Sequence, residues 1–105
     1  MEVVYATGDI GRFLDDLETG VRSQVTRLLG MLVLRGHELR LPHSRALGSG
    51  LFELRLTGTH PVRLLYCFHA GSVYILHAVM KKRSALAPHD IVHARNIHRA
   101  ILENV

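Results

Sequence analysis

Residues 50–83 decide the fold of this chain, and they read GLFELRLTGTHPVRLLYCFHAGSVYILHAVMKKR. Apolar, β-branched and aromatic residues fill three runs, at about residues 51–57, 62–68 and 73–80, which predicts three β-strands. Glycine occurs in both short connections between these runs, as it does in turns that join antiparallel neighbours. The stretch therefore predicts a small, mostly antiparallel sheet.

The flanking segments complete an α+β fold. Residues 2–6 are short and β-branched and predict a first strand, and Thr7 is placed to cap the helix that follows. Gly20 interrupts this helix, a second helix ends at Gly36, and a last, C-terminal helix begins at Pro88. The predicted order is β-α-α-β-β-β-α, with the first two helices forming a hairpin across one face of the sheet. The apolar stripes that support it are Ile10, Phe13, Leu14 and Leu17, then Val21, Val25, Leu28, Leu29 and Leu32, and finally Ile91, Ala94, Ile97 and Ile101.

Length and composition indicate one domain over residues 1–105. The hydrophobic fraction of 48% and the charged fraction of 21% argue against disorder. No apolar run approaches the roughly 18 residues of a transmembrane helix, and there is no basic-then-apolar leader, so we expect a cytoplasmic protein without a membrane partner. The single cysteine, Cys67, excludes an internal disulfide and is expected to be a small buried hydrophobe rather than a nucleophile.

Positive charge is concentrated around the predicted strands. Residues 39–89 contain seven Lys or Arg and one acid, whereas residues 1–20 contain five acids and one Arg. Cations on the pleats of a small sheet repel one another and are costly to bury, so a hydrophobic core does not explain them. The asymmetry predicts a basic face that docks nucleic acid. Residues 37–50, expected to form a connecting loop, would bring Arg40 and Arg45 to the rim of that face.

Strand alternation assigns charged residues to one face of the sheet. Glu53 and Arg55 alternate with apolar residues, and Arg63 points away from the main apolar set of its strand. If the polar faces coincide, Arg55 and Arg63 are neighbours, and their repulsion requires a bound anion or Glu53 between them. The simpler interpretation is a Glu53–arginine salt bridge on a solvated face. We expect the two arginines on the open face and, against the helical hairpin, Val62, Leu64, Tyr66 and Phe68.

Two features near the end of the last predicted strand have alternative interpretations. Lys81, Lys82 and Arg83 form either a solvated strand end or part of a phosphate site. His77 lies in an otherwise apolar strand, where it is either a satisfied core histidine or a polar group turned into the site. The sequence does not choose between these interpretations.

Metal ligands and cofactor motifs are not convincing. His89 and His93 lie one helical turn apart, as in a zinc-binding helix, but the helix lacks the glutamate of such metalloproteases and no third ligand is evident. With only nine acids in the chain, five of them among residues 1–20, a two-metal carboxylate site is not expected either. We therefore expect no metal and no cofactor.

Six segments follow one another along the chain: residues 41–47, Gly50 to Arg55, Val62 to Tyr66, Ile75 to His77, Lys81-Lys82, and Pro88 with the helix after it. Taken in this order, they resemble the phage-derived Gp49-like (HigB-type) branch of the RelE toxin superfamily. The resemblance covers residues 28–104 and implies a RelE-like fold. It also implies the toxin of a type II toxin–antitoxin system, a metal-independent endoribonuclease that cleaves messenger RNA in the ribosomal decoding site. Such a toxin is silenced by a co-encoded antitoxin, here expected to be a helix-turn-helix protein. The alternative is a module that binds RNA or a partner on the same sheet without cleavage.

The resemblance also implies roles for individual residues. Arg63 is similar to the strand arginine that contacts the scissile phosphate, and Arg55 and Lys82 match basic positions on the neighbouring strands. An acid, Glu53, stands where better-known RelE toxins carry a basic residue, and residues 84–88 lack a tyrosine that some relatives have. The general base is left open between three residues, and four others are expected to bind RNA. The candidate bases are Lys82, His77 and Glu53, and the RNA-binding residues are Lys81, Arg83, Arg40 and Arg45.

Overall fold

A computed structural model describes residues 1–58, 60–81 and 85–104. Among these residues, five strands and three α-helices follow one another as β-α-α-β-β-β-β-α, which is the predicted order with one additional strand. The strands are β1 (Glu2–Tyr5), β2 (Ser44–Gly48), β3 (Leu51–Arg55), β4 (Val62–His69) and β5 (Ser72–Met80), and the helices are α1 (Gly8–Asp15), α2 (Thr19–Arg35) and α3 (Pro88–Glu103). A short 3-10 turn, Gly36–Glu38, follows α2.

The five strands form one mixed sheet in the order β1-β5-β4-β3-β2. The three neighbouring pairs from β2 to β5 are antiparallel, and only β1 runs parallel to its neighbour, β5. The α1–α2 hairpin carries the chain from β1, at one edge of the sheet, to β2, at the other edge. The antiparallel strands β2 to β5 then bring the chain back beside β1, where β5 runs parallel to it. This arrangement confirms the predicted α+β class and is compatible with a RelE-like fold.

Helices cover both faces of the sheet. The α1–α2 hairpin packs on one face, where Leu64 and Tyr66 of β4 are buried, so the predicted hairpin-facing set is confirmed. Helix α3 packs on the other face over Leu65, Cys67 and Leu76. Each fully buried side chain of this size contributes about 1.5–3 kcal/mol to stability. The predicted stripes are confirmed as well, and the α3 residues that contact the sheet are Ile91, Ala94, Ile97 and Ile101.

Strand β2 corrects the prediction that residues 37–50 form a loop. Ser44 pairs with Leu54 and Arg45 with Glu53, both in antiparallel register. The segment has no β-branched residue, and local propensity therefore gives little sign of a strand. It is held by β3 and by a hydrogen bond of 2.5 Å between the hydroxyls of Ser44 and Tyr66. Arg45 consequently projects from a sheet rather than from a loop.

The break between the first two helices also differs from the prediction. Gly20 lies within α2, near its start, and the chain is non-helical over residues 16–18. Gly36 does follow α2 directly, with a φ of 55° that favours glycine. Gly36 thus marks the end of α2 as predicted, whereas Gly20 is accommodated inside that helix and does not break it.

A β-bulge in β5 determines where His77 points. Leu65 pairs with His77 and Tyr66 pairs with Ile75, so Leu76 has no partner on β4. Strict alternation from Ile75, which is buried under the hairpin, would turn His77 towards the same helices. The extra residue reverses the alternation and turns His77 to the α3 face.

None of the helices in the described part of the chain has the length and apolar character needed to cross a bilayer.

The thiol of Cys67 is expected to be unreactive in the folded protein. It is buried beneath α3, and burial raises its pKa to about 11, so almost no thiolate is present at pH 8. A thiol reagent should label the native protein very slowly and the denatured protein at once. Rapid stoichiometric labelling under native conditions would contradict this placement of β4 under α3.

Candidate functional site

Three arginines surround one buried carboxylate on the α3 face of the sheet. Glu53 of β3 is fully buried, and its Oε1 lies 3.0 Å from Arg45 Nη2 and 3.7 Å from Arg55 Nε. Its Oε2 lies 3.2 Å from Arg63 Nε, without the angle of a hydrogen bond. We call these four residues the Glu53 cluster. A salt bridge from Glu53 to Arg55 and Arg63 is one of the alternatives that strand alternation left open, and Arg45 joins it from β2. The cluster keeps a net charge of +2 from three cations and one anion.

The arginines of the Glu53 cluster differ in exposure. The side chain of Arg45 is 46% exposed and that of Arg55 is 23% exposed, whereas that of Arg63 is only 3% exposed. Arg63 Nη1 also donates hydrogen bonds to the carbonyl oxygens of Leu56, at 2.9 Å, and Val62, at 3.3 Å. Arg63 does lie on the face away from the hairpin, but the prediction that it lies in the open is wrong. Its guanidinium is used to hold Glu53 and the ends of β3 and β4.

Burial is the main influence on the charge of Arg63. It lowers the pKa of the guanidinium, Glu53 raises that pKa, and the neighbouring Arg55 and Arg45 lower it further. An arginine remains protonated at neutral pH despite such a shift. The result is a permanently charged group whose position depends on the Glu53 carboxylate.

Removing Arg63 should destabilise the fold much more than removing Arg45. Arg63→Ala leaves the buried Glu53 carboxylate short of its most buried partner, and breaking a buried pair in this way costs about 3–5 kcal/mol. Arg45→Ala removes a half-exposed partner, which costs about 1 kcal/mol or less. Urea denaturation of both variants measures the two free energies of unfolding. Equal losses would show that Arg63 is not the principal partner of Glu53.

A second ionic cluster joins β5 to the start of α3. Asp90 is buried, and its Oδ1 lies 2.9 Å from His77 Nε2 while its Oδ2 lies 2.7 Å from Lys81 Nζ. The same Oδ2 accepts a hydrogen bond of 3.2 Å from the backbone amide of Ala87, which closes the first turn of α3. We call Asp90, His77 and Lys81 the Asp90 cluster. It fixes the His77 ring in one orientation.

The ionised form of Asp90 is stabilised by these contacts. Burial by itself would raise the pKa of Asp90, but the hydrogen bonds from Lys81 and His77 and the charge of Lys81 outweigh it and lower the pKa to about 2. A carboxyl group whose pKa falls on folding stabilises the protein above its unfolded pKa of 3.8, and that contribution disappears as the pH falls towards 2. The difference corresponds to roughly 2 kcal/mol.

Asp90→Asn should therefore lower the free energy of unfolding by roughly 2 kcal/mol at pH 6. The deficit relative to the parent protein should shrink as the pH falls from about 4 to about 2, because the parent carboxylate is then protonated. Denaturation midpoints measured across this range test the sign. Asp15→Asn, at an exposed position of α1, is the matched control and should show no such pH-dependent deficit. A deficit that persists unchanged at pH 2 would exclude the ionic contribution.

The two clusters lie on one face of the sheet and in one row of side chains. The strand register connects Arg45 to Glu53, Glu53 to Leu65 and Leu65 to His77. Glu53 and His77 are thus two strands apart, which is about 10 Å at the usual spacing. The adjacent row contains Arg55, directly opposite Arg63. A strip of cations with a histidine at one end is therefore assembled from four different strands.

Sequence comparison gives the family context of this strip. The phage derived protein Gp49-like family matches residues 12–99, which include every residue of the two clusters and most of the sheet. The chain belongs to the Gp49-like family. This is a RelE/toxin-like family, associated with RelE-type toxins. Comparison with curated proteins gives no match.

The remaining predicted site residues of this Gp49-like protein have other positions. Arg40 is exposed and donates a hydrogen bond of 2.8 Å to the His37 carbonyl oxygen, and it belongs to neither cluster. Lys81 is held by Asp90 rather than extended towards solvent. The predictions for Lys82 and Arg83 concern residues outside those that the structure describes.

The paired histidines of α3 take different positions in this Gp49-like fold. His89 is largely exposed, 3.6 Å from Asp90 Oδ1, and the ring of His93 packs on the ring of His77 with 4.8 Å between centroids. Within residues 1–58, 60–81 and 85–104, no group of three or more His, Cys, Asp or Glu side chains is arranged to hold a metal ion.

Asp90 is the member of the two clusters that the sequence analysis did not identify. The sequence does contain a signal for it, because an acid two residues after Pro88 stands in the first turn of a helix, where it accepts from free backbone amides. The sequence gives no indication of its contacts with His77 and Lys81, because these contacts depend on the bulge in β5. The Gp49-like chain thus carries an oriented histidine that alternation alone would have buried under the hairpin.

Proposed function

We propose that this chain is the toxin of a type II toxin–antitoxin system, of the HigB type, and that it cleaves messenger RNA as a metal-independent endoribonuclease. The observation that carries the proposal is the strip of cations beside an oriented histidine on one face of the sheet. Cleavage of RNA without a metal requires positive charge at the phosphate and a group that accepts a proton. The family association with RelE-type toxins supports the same conclusion.

In this proposal the exposed arginines bind the scissile phosphate. Arg55 and Arg45 are the members of the Glu53 cluster with access to solvent, and the buried Arg63 keeps them in place through Glu53. Guanidinium groups held in advance near a phosphate stabilise the charge that builds on its oxygens in the transition state. Arg63 is then a positioning residue, and Arg55 takes the phosphate contact that the family resemblance suggested for Arg63.

His77 is the proposed general base. With its Nε2 proton directed to Asp90 Oδ1, the other ring nitrogen, Nδ1, is the proton acceptor. It takes the proton of a ribose 2′-hydroxyl, whose oxygen attacks the adjacent phosphorus while the bond to the 5′-oxygen breaks, and the departing 5′-oxygen takes a proton from water. The products are a 2′,3′-cyclic phosphate and a 5′-hydroxyl end. Glu53 is excluded from this role because it is fully buried and engaged with three arginines. Lys82 stays a candidate from the sequence.

The proposed partners and location follow from the activity. Messenger RNA in the ribosomal decoding site is the substrate, and the toxin acts in the cytoplasm, where translation takes place. A co-encoded helix-turn-helix antitoxin would silence it by covering the strip or by displacing α3, which carries Asp90. The formal net charge of +4 favours association with either an RNA strand or an acidic segment of such a partner.

Single-turnover cleavage of ribosome-bound messenger RNA tests the assignment. Arg55→Gln should slow cleavage about 100- to 1000-fold, since it removes one preorganised donor. His77→Gln should slow it about 100- to 10,000-fold, since it removes the proton acceptor. Arg99→Gln, an exposed position on α3 outside both clusters, is the control and should cleave at the parental rate, and EDTA should change none of the rates.

Three outcomes of this experiment would count against parts of the proposal. Parental cleavage by the His77 variant would remove His77 as the base, and parental cleavage by the Arg55 variant would remove the phosphate contact. Loss of activity in EDTA would refute a metal-independent reaction.

A non-catalytic module that binds RNA or a partner is the second candidate. The observation that favours it is the internal pairing of charges, because Lys81 and Arg63 are already engaged by acids. Such a module would arrest growth without cutting transcripts. Mapping of RNA 5′ ends after expression of the chain therefore separates the two candidates.

A further inference from the structure

A groove on the other side of Arg55 is not used by the proposed reaction. It lies between α2 and the ends of β2 and β3 and has a volume of about 280 Å³. That volume is close to the lower limit of typical small-molecule sites, roughly 300 Å³. We call it the α2 groove. Its lining residues are Gln24, Arg27, Leu28, Met31, Pro42, His43, Arg55, Leu56 and Thr57.

The lining of the α2 groove combines positive charge with an apolar surface. Arg27, His43 and Arg55 contribute the basic groups, and there is no acid among the lining residues. Leu28 and Met31 of α2 supply apolar surface between them. An anion with an attached flat, apolar group satisfies both halves of such a lining.

Arg27 is available to bind an anion. It is exposed on α2, and among the residues that the structure describes no acid lies within salt-bridge distance of it. The acid Glu18 is found only in the next cavity along α2, where it lies 3.9 Å from His60. The acid therefore lies outside the α2 groove, whose charged lining residues include Arg27 and Arg55.

We propose that the α2 groove binds one nucleotide, with its phosphate between Arg27 and Arg55 and its base against Leu28 and Met31. The inference rests on the proposed function in one respect, because the nucleotide is taken to be the unit of the RNA strand next to the scissile phosphate. Arg55 belongs to both sites, since it contacts Glu53 on the α3 face and lines the groove. A strand bound at the Glu53 cluster can thus continue around the end of the sheet onto α2. The small volume fits a single nucleotide better than a segment of peptide.

The binding test uses adenosine 5′-monophosphate and adenosine as probes, with NMR signals of the groove residues as the readout. The monophosphate should shift the ring signals of His43, and adenosine should bind at least about tenfold more weakly, because a charge-assisted contact is lost. Arg27→Gln should weaken the binding of the monophosphate by a similar factor. Thr57→Glu, which places an acid in the groove at an exposed position, should weaken it as well.

Arg35→Gln is the matched control, since it removes the same charge from an exposed position of the same helix and should bind the monophosphate like the parent. Absence of groove shifts, or equal binding by the Arg27 and Arg35 variants, would overturn the inference. Preferential binding of an acidic peptide over the monophosphate in the groove would also overturn it, in favour of a protein partner.

Two further measurements separate this inference from the proposed function. If the Arg27 variant binds a short single-stranded RNA more weakly than the parent, the nucleotide in the groove belongs to the RNA strand. If the affinity for that RNA is unchanged, the natural ligand of the groove is a free nucleotide. If the chain binds the monophosphate through Arg27 but cleaves no RNA, the proposed function fails and the groove assignment stands. If it cleaves RNA and neither nucleotide binding nor the cleavage pattern responds to Arg27→Gln, the groove assignment fails alone.

Discussion

The Glu53 carboxylate is the constraint on which the rest of the sheet depends. A fully buried carboxylate is tolerated only when cations compensate it, and here they come from β2, β3 and β4. Since successive side chains of a strand point to opposite faces, a slip of one residue in β2 or β4 would turn an arginine away and remove one of the three partners of Glu53. The ionic cluster thus specifies the same strand register that the hairpin-facing core requires.

The bulge in β5 connects this register to α3. If β5 alternated strictly, with no bulge at Leu76, His77 would face the hairpin core, where Ile75 is buried, and its contact with Asp90 would be lost. Asp90 in turn closes the first turn of α3 through the Ala87 amide. One irregularity in a strand therefore determines both the anchoring of the last helix and the orientation of the candidate base.

The sequence predicted what periodicity controls and missed what tertiary contacts control. Residues 62–68 and the α3 stripe follow simple repeats, and their faces were correct because burial of apolar surface dominates there. Strand β2 has weak propensity and exists because β3 offers an edge, while the bulge leaves no pattern that distinguishes it from alternation. The exposure of Arg63 was mistaken because alternation gives the face of a residue, not its depth. From the sequence alone, an arginine near a single acid is expected to be exposed to solvent, because its burial depends on neighbours that only the tertiary structure shows.

The acid at the centre of the strip also explains how such a small sheet carries so many cations. Three guanidinium groups on adjacent strands would repel one another and spread into solvent, where a phosphate would have to reassemble them. Glu53 reduces their combined charge from +3 to +2 but holds them in a fixed array before any ligand arrives. In the proposed reaction, which depends on donors that need no rearrangement in the transition state, the loss of one unit of charge is offset by fixed geometry. An acid at a position where better-known RelE toxins carry a basic residue is therefore consistent with a phosphate site. The condition is that its partners are arginines, whose planar donors can bind a carboxylate and a phosphate at once.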